Sequence, residues 1–80
     1  MAFKTKLFRY TVMLEADPTG GFVATVPSLP GCVTQGDSID DTLIQTKDAI
    51  ISYLAVLRED GDPIPEESNE RTIADVSVMA

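Results

Sequence analysis

Residues 26–36 constrain the fold more than any other stretch, because two prolines and two glycines interrupt two strand-like runs there. Pro27 and Pro30 each fix φ near about −65° and lack an amide donor, so neither can continue the hydrogen-bond ladder of a central sheet. Gly31 and Gly36 bracket a short apolar run, where we expect backbone angles that are closed to other residues. The stretch therefore predicts a non-repetitive crossing between two strands.

Alternating apolar residues predict strands on both sides of this crossing. Residues 6–16 have one apolar face and one mostly polar face, the period-two pattern of a half-buried strand. Turn-forming residues 17–21 join this run to a second strand at residues 22–26, and a third strand follows at residues 32–35. Residues 72–79 alternate again and predict a fourth strand. The side chains expected on the buried faces are Phe8, Tyr10, Val12 and Leu14, then Phe22, Ala24 and Val26, and finally Ala74, Val76 and Val78.

Residues 39–60 predict one amphipathic helix of about six turns. Ser38 is the expected N-cap, and Asp41, three residues later, completes an aspartate version of the capping box. Gly61 is expected to end the helix at the C′ position. The apolar stripe expected to face the core contains Ile39, Leu43, Ile50, Leu54 and Leu57, widened by Ile44 and Ile51.

The order of elements predicts an α+β fold, β-β-β-α-β, in which one long helix packs on one face of a small, mostly antiparallel sheet. Eighty residues are expected to form a single domain, residues 1–80. One helix cannot cover both faces of the sheet, and the second face is partly apolar, with Leu7, Met13, Val23 and Val33. Uncovered apolar faces and strand edges favour association of the chain with itself, as a dimer or a tetramer. The alternative is a monomer with an ordinary solvated face.

Charge and composition narrow the classes of partner. Thirteen acidic residues against six basic ones give a net charge of −7, which repels nucleic-acid backbones and favours a basic protein partner. A role in solubility alone is the alternative. Lys4, Lys6 and Arg9 form the one basic patch, and it is too small to predict more than weak, salt-sensitive nucleic-acid contact. The chain has one cysteine, no apolar leader and no membrane-spanning run, so a cytoplasmic location without a membrane partner is expected.

Catalytic chemistry has little support among the residues. The chain contains no histidine, which removes the usual general base and the commonest metal ligand. Cys32 lies in an apolar run without an activating base, so we interpret it as structural. The acids at positions 37, 40 and 41 surround a helix N-terminus, where capping and the helix dipole explain them without a metal. We therefore expect neither an enzyme, nor a cofactor, nor a metal site.

Several motifs together resemble the HicB-like antitoxin family over most of the chain. The most specific is residues 27–32, Pro-Ser-Leu-Pro-Gly-Cys, followed by Thr-Gln-Gly-Asp at residues 34–37 and then the helix. The hairpin at residues 20–24 and the Ile-Pro pair at residues 64–65 extend the resemblance. The structural positions that it singles out are Pro27, Leu29, Pro30, Gly31, Cys32 and Gly36, with Ser38 and Asp41 at the helix cap.

The resemblance implies a partial ribonuclease-H-like fold and a role in neutralising a toxin. Family members bind small basic HicA-type ribonucleases and block their active sites, and many carry a C-terminal DNA-binding domain that this chain is expected to lack. The leading hypothesis is a non-catalytic module that occludes such a toxin. The alternative is a stand-alone homo-oligomeric domain with regulatory or ligand-binding work and no toxin partner. A ribonuclease-H-like nuclease is disfavoured, because that chemistry needs carboxylates converging on two metals and only Glu15 lies on the first predicted strand.

Overall fold

The computed structural model describes residues 6–67 and 74–80, and it places three strands before one long helix. The elements are β1 Met13–Ala16, β2 Phe22–Thr25, β3 Val33–Gly36 and α1 Ile39–Asp60. The strands form one antiparallel sheet in the order β1-β2-β3, and the helix packs mainly on β3 and β2. The α+β class, the antiparallel meander and both ends of the helix are confirmed.

The loop between β2 and β3 consists of two successive turns. The Leu29 amide donates to the Val26 carbonyl at 3.0 Å, and the Cys32 amide donates to the Leu29 carbonyl at 3.0 Å. Each turn therefore has proline at its second position, where a φ near about −65° is already set. Gly31 follows Pro30 with φ 82°, the left-handed value that the third position of a type II turn requires. The double turn aims Leu29, between the two prolines, into the core with no exposed surface.

Gly36 corrects one expectation about the backbone, because its φ is not in the left-handed region. Its role is to allow close approach. A Cβ at this position would lie 2.6 Å from the Asp41 carboxylate and 2.8 Å from the Thr42 amide nitrogen. The end of β3 therefore meets the first turn of α1 at a distance that only glycine allows.

Both ends of α1 are capped by side-chain or backbone groups. Ser38 is the N-cap, and its hydroxyl oxygen accepts from the Asp41 amide at 3.0 Å. The Asp41 carboxylate reaches back to the amide of Asp37 at 3.1 Å, one residue before the position that a standard capping box uses. At the other end Gly61 has φ 71°, and the Asp62 amide donates to the Leu57 carbonyl at 2.9 Å, which is a Schellman arrangement.

The first strand is shorter than predicted. Residues 6–12 belong to no strand, because β2 ends at Thr25 and the chain then turns at Pro27, so β1 finds no partner before Met13. The expected inward face of this segment is nevertheless confirmed. Phe8, Tyr10 and Val12 pack against the core, and the first two rings stack with centroids 6.4 Å apart.

The predicted fourth strand is wrong for the part of residues 72–79 that the structure describes. Residues 72 and 73 lie outside the described residues, and residues 74–80 form no strand and are exposed throughout. Val76 and Val78 retain 85% and 80% of their accessible surface. A strand needs a neighbouring edge for its hydrogen bonds, and this segment has none within the described part of the chain.

The buried stripe of the helix also differs from the prediction. Leu54 is buried and Ile50 and Leu57 pack against the core as expected, but four of the predicted stripe residues are exposed, namely Ile39, Leu43, Ile44 and Ile51. Thr42 and Thr46 are the buried residues of the first helical turns instead. Among residues 6–67 and 74–80 the sheet has three strands, and the helix packs its threonine face mainly on β3. Much of its apolar surface is therefore left exposed.

Candidate protein-binding surface

An apolar groove runs between α1 and the segment that precedes β1. We call it the helix groove; its volume is about 460 Å³. Its walls are Phe8, Tyr10 and Val12 on one side and, on the other, Leu43, Thr46, Ile50, Ile51 and Leu54, with Lys6, Lys47 and Arg58 at its margins. The groove exists because the helix lies over β2 and β3, and nothing described covers the space beside β1.

Basic side chains line the helix groove, although the protein as a whole has a net charge of −7. Lys6, Lys47 and Arg58 are three of the six basic residues in the chain. Lys6 pairs with Glu66, but both side chains are more than half exposed, so the pair adds little stability. Burial, reinforced by the nearby Glu66 and Glu67 carboxylates, raises the pKa of the Tyr10 phenol, and that hydroxyl donates to the Pro65 carbonyl at 2.6 Å. The groove is thus an apolar floor with basic margins.

A second concavity, the acidic cleft, lies at the other end of the sheet beside the N-terminus of α1. Its volume is about 370 Å³, and it is lined by Asp17, Thr19, Gly20, Phe22, Gln35, Gly36, Asp37 and Asp41. The hydrogen bonds from the Thr19 hydroxyl and amide to Asp17, at 2.7 Å and 2.8 Å, lower the pKa of that carboxyl group. Three carboxylates, those of Asp17, Asp37 and Asp41, thus line this cleft and make it acidic.

The structure places the predicted motif residues at two separate locations. Pro27, Leu29, Pro30, Gly31 and Cys32 form the double turn, which is joined to the helix by a 2.9 Å hydrogen bond from the Tyr53 hydroxyl to the Pro30 carbonyl. Gly36, Ser38 and Asp41 lie together at the helix N-terminus, beside the acidic cleft. The motif residues thus form the double turn and part of the lining of the acidic cleft. The helix groove is lined by residues outside the motif.

Two buried threonines on one face of α1, Thr42 and Thr46, were not predicted from the sequence. The Thr42 hydroxyl donates to the Ser38 carbonyl at 2.6 Å, and the Thr46 hydroxyl donates to the Thr42 carbonyl at 2.7 Å. Because the Thr46 proton is used there, Thr34 donates to the Thr46 oxygen across the 2.8 Å gap between β3 and α1. The four-residue spacing of Thr42 and Thr46 on one helix face was the available signal, but threonine usually occupies exposed or capping positions.

Reactive groups are sparse in the described part of the chain. Cys32 is buried, and burial raises the pKa of its thiol, which makes the nucleophilic thiolate less available. Among residues 6–67 and 74–80, no three side chains of the histidine, cysteine, aspartate or glutamate type come together as a metal site. No helix formed by these residues is long and apolar enough to cross a bilayer.

Comparisons with known proteins agree on one family. Residues 10–77 match the model of the HicB-like antitoxins of bacterial toxin–antitoxin systems. The chain is 40% identical over 62 residues to a UPF0150 protein of Thermoplasma acidophilum, covering 78% of this chain and 90% of that protein. It is 43% identical over 56 residues to a UPF0150 protein of Archaeoglobus fulgidus, covering 68% and 81%.

The chain is also similar to Antitoxin HicB 1 of Photorhabdus laumondii. The identity is 36% over 63 residues, which cover 79% of this chain but only 41% of that antitoxin. The matched region of the family model extends from Tyr10 in the helix groove through the double turn and the helix cap. The chain belongs to the HicB-like antitoxin family.

Proposed function

We propose that this chain is a non-catalytic antitoxin module that binds a small basic HicA-type ribonuclease and covers its active site. Family membership carries the proposal, because the region shared with Antitoxin HicB 1 spans 79% of this chain. The matched part of that protein is less than half of its length. Toxin binding by this chain is therefore proposed by analogy with the matched region of that antitoxin.

The distribution of charge supports a basic protein as the partner. The chain carries a net charge of −7, and three carboxylates line the acidic cleft, those of Asp17, Asp37 and Asp41. Opposite fields accelerate encounter and align the partners before contact. A cleft of this charge is suited to lysine and arginine side chains of a ribonuclease, which would otherwise hold the RNA backbone.

The non-catalytic part of the proposal rests on the residues present. The chain has no histidine, and its one cysteine is buried with a raised thiol pKa. Inhibition by occlusion requires no reactive group of the antitoxin, only a surface that fits the toxin. We propose in addition that the module self-associates, as a dimer or a tetramer.

A stand-alone homo-oligomeric domain without a toxin is the second candidate. The observation that favours it is the near full-length match to a UPF0150 protein, of which the aligned region covers 90%. Such a domain would retain the self-association and would have no basic partner.

The test is association with a HicA-type toxin encoded beside the gene, measured by stopped-flow across a series of salt concentrations. Asp37→Lys, in the acidic cleft, is paired with Glu59→Lys, an exposed residue at the far end of α1 that receives the same change of charge. We expect the association rate to fall steeply with salt and to fall several-fold more for the cleft variant. Equal effects of both variants would contradict the cleft as the docking site, and an absence of binding with undiminished RNA cleavage would favour the toxin-free candidate.

A further inference from the structure

An exposed apolar stripe runs along α1 on a different side from the buried threonines. Its middle is formed by Ile44, Ile51 and Ala55, and the two isoleucines are 61% and 58% exposed. Asp40 and Arg58 stand at its two ends. These two residues are 18 positions apart, which is five turns at about 3.6 residues per turn, so they lie on one line along the helix. We call these five residues the outer stripe.

We propose that the outer stripe is a homodimer interface, in which α1 of a second copy packs antiparallel on α1. The inference names the surface for the self-association proposed above, on which it rests, and it does not depend on a toxin. The two-fold axis passes between Lys47 and Asp48, so that Ile44 of each copy faces Ile51 of the other. Four isoleucine side chains then leave water together, and apolar area gains about 25 cal/mol per Å² on burial.

The charges of the outer stripe favour a second copy as the occupant. The stripe has an acid at one end and a base at the other, so the antiparallel arrangement brings Asp40 of each copy within about one helical turn of Arg58 of the other. Neither residue forms an ion pair with another described residue of its own chain. Lys47 of each copy also lies level with Asp48 of the other. The stripe is thus complementary to its own reverse, which is what a two-fold interface requires.

The chain's own tail fits the outer stripe less well than a second helix does. Residues 65–67 already lie beside residues 6–12, held there by two hydrogen bonds and one ion pair, so the chain itself occupies that edge of the molecule. The outer stripe extends beyond it, since Ile44 is not part of the lining of the helix groove. Residues 74–80 contain one carboxylate and no cation, so they match the basic end of the stripe but not its acidic end.

The first test makes the same substitution on two sides of α1. Ile44 lies in the outer stripe, and Val56, which is 55% exposed, lies about a third of a turn away around the helix. We expect Ile44→Glu to shift the purified protein toward a single chain of 8.6 kDa in sedimentation velocity, while Val56→Glu keeps the size of the unmodified protein. Equal shifts with both variants, or an unchanged dimer with Ile44→Glu, would overturn the helix pairing.

The second test exchanges the charges at the two ends of the stripe. Asp40→Arg and Arg58→Asp should each weaken the dimer, because like charges then meet at both ends. A mixture of the two variants should form a heterodimer, since each end then joins an arginine to an aspartate. Glu15→Arg, on β1, replaces Asp40→Arg as the control, because it has the same net charge and leaves the stripe unchanged. No heterodimer, or equal recovery with the control, would overturn the pairing.

The third test determines the direction of the paired helices. A tagged Ile44→Cys chain is mixed with an untagged Ile51→Cys chain under mild oxidation, with Val56→Cys replacing Ile44→Cys as the control. We expect a disulfide between the tagged and untagged chains only with position 44. Positions 44 and 51 of one helix are about 10 Å apart, too far for a disulfide within a chain, so the product must join two copies. Equal cross-linking from position 56 would overturn the arrangement, as would a preference of position 44 for itself, which indicates parallel helices.

The possible failures are separable. An unmodified protein that stays at 8.6 kDa at high micromolar concentration would overturn self-association and the helix pairing together. An oligomer whose size is unaffected by Ile44→Glu, and which gives no cross-link between positions 44 and 51, would overturn only the helix pairing. A failure to bind a toxin would overturn the antitoxin role and leave these results unchanged.

Discussion

β2 and residues 74–79 have the same alternating sequence pattern and opposite environments. In β2, Ala24 is fully buried, and Val26 just after the strand is 1% exposed, whereas Val76 and Val78 keep most of their surface in water. The difference lies in the neighbours and not in the segments themselves. β2 has a strand on each side and a helix above it, and residues 74–79 have none of these within the described chain. Alternation shows that a segment can be a strand, and an available edge decides whether it becomes one.

The largest expected contrast comes from the same substitution in a packed and an uncovered region. Leu29→Ala should destabilise the fold by about 2–5 kcal/mol, because Leu29 has no exposed surface and its removal leaves a cavity. Leu7→Ala should change the free energy of unfolding by less than about 0.5 kcal/mol, because Leu7 is 83% exposed and lies on the opposite side of its segment from the groove. Urea unfolding of both variants measures the contrast, and similar losses for both would contradict the assignment of the core to the double turn.

Two glycines with similar backbone angles lie in a packed and an open environment, so we expect the same substitution to destabilise the fold by different amounts at the two positions. Gly21 and Gly31 have φ of 76° and 82°, but a Cβ at Gly21 would clash with the Gly36 carbonyl oxygen, while one at Gly31 meets nothing within 4 Å. Gly31→Ala should cost about 1–2 kcal/mol from the left-handed backbone alone. Gly21→Ala should cost roughly 3 kcal/mol or more, because strain is added to a clash with rigid backbone. Equal losses in thermal or urea unfolding would mean that the two strands can separate at Gly36 without cost.

A good part of the fold is predictable because its signals are local. Ser38, Asp41 and Gly61 determine where the helix begins and ends through hydrogen bonds within a few residues, and the predicted bounds agree with the structure. Pro30 and Gly31 similarly determine a turn of four residues. The extent of β1 was not predictable in the same way, because it depends on where its neighbour turns away.

The candidate surfaces were harder to derive than the fold. The helix groove is lined by Leu43 and Ile51, which the sequence pattern assigned to the core, because an apolar stripe does not reveal how wide the sheet beneath it is. The burial of Thr46 was not predicted, because its hydroxyl needs hydrogen-bond partners when it is buried. The Thr42 carbonyl and the Thr34 hydroxyl supply them only once the helix has formed and packed on β3. What the sequence did indicate was excess apolar surface, without its location.

The smallest effect concerns the thiol within the packed region. Burial raises the pKa of Cys32, so the neutral thiol contributes stability that is fully present below the pKa of an unfolded cysteine and is lost as pH rises through the higher folded value. We expect native Cys32 to react with a disulfide reagent far more slowly than the urea-unfolded chain, with its rate rising at a higher pH. The chain has no other cysteine, so one labelling curve measures one site. Equal rates in the native and unfolded states would show that the double turn opens readily.

Amide hydrogen exchange tests most directly whether its neighbours decide if an alternating segment becomes a strand. We predict that β2 exchanges slowly, because it pairs with a strand on each side, while residues 74–79 exchange at close to the rate of an unstructured peptide. The two segments have the same pattern, so the pattern alone predicts equal protection. Protection of residues 74–79 as strong as that of β2 would contradict the account.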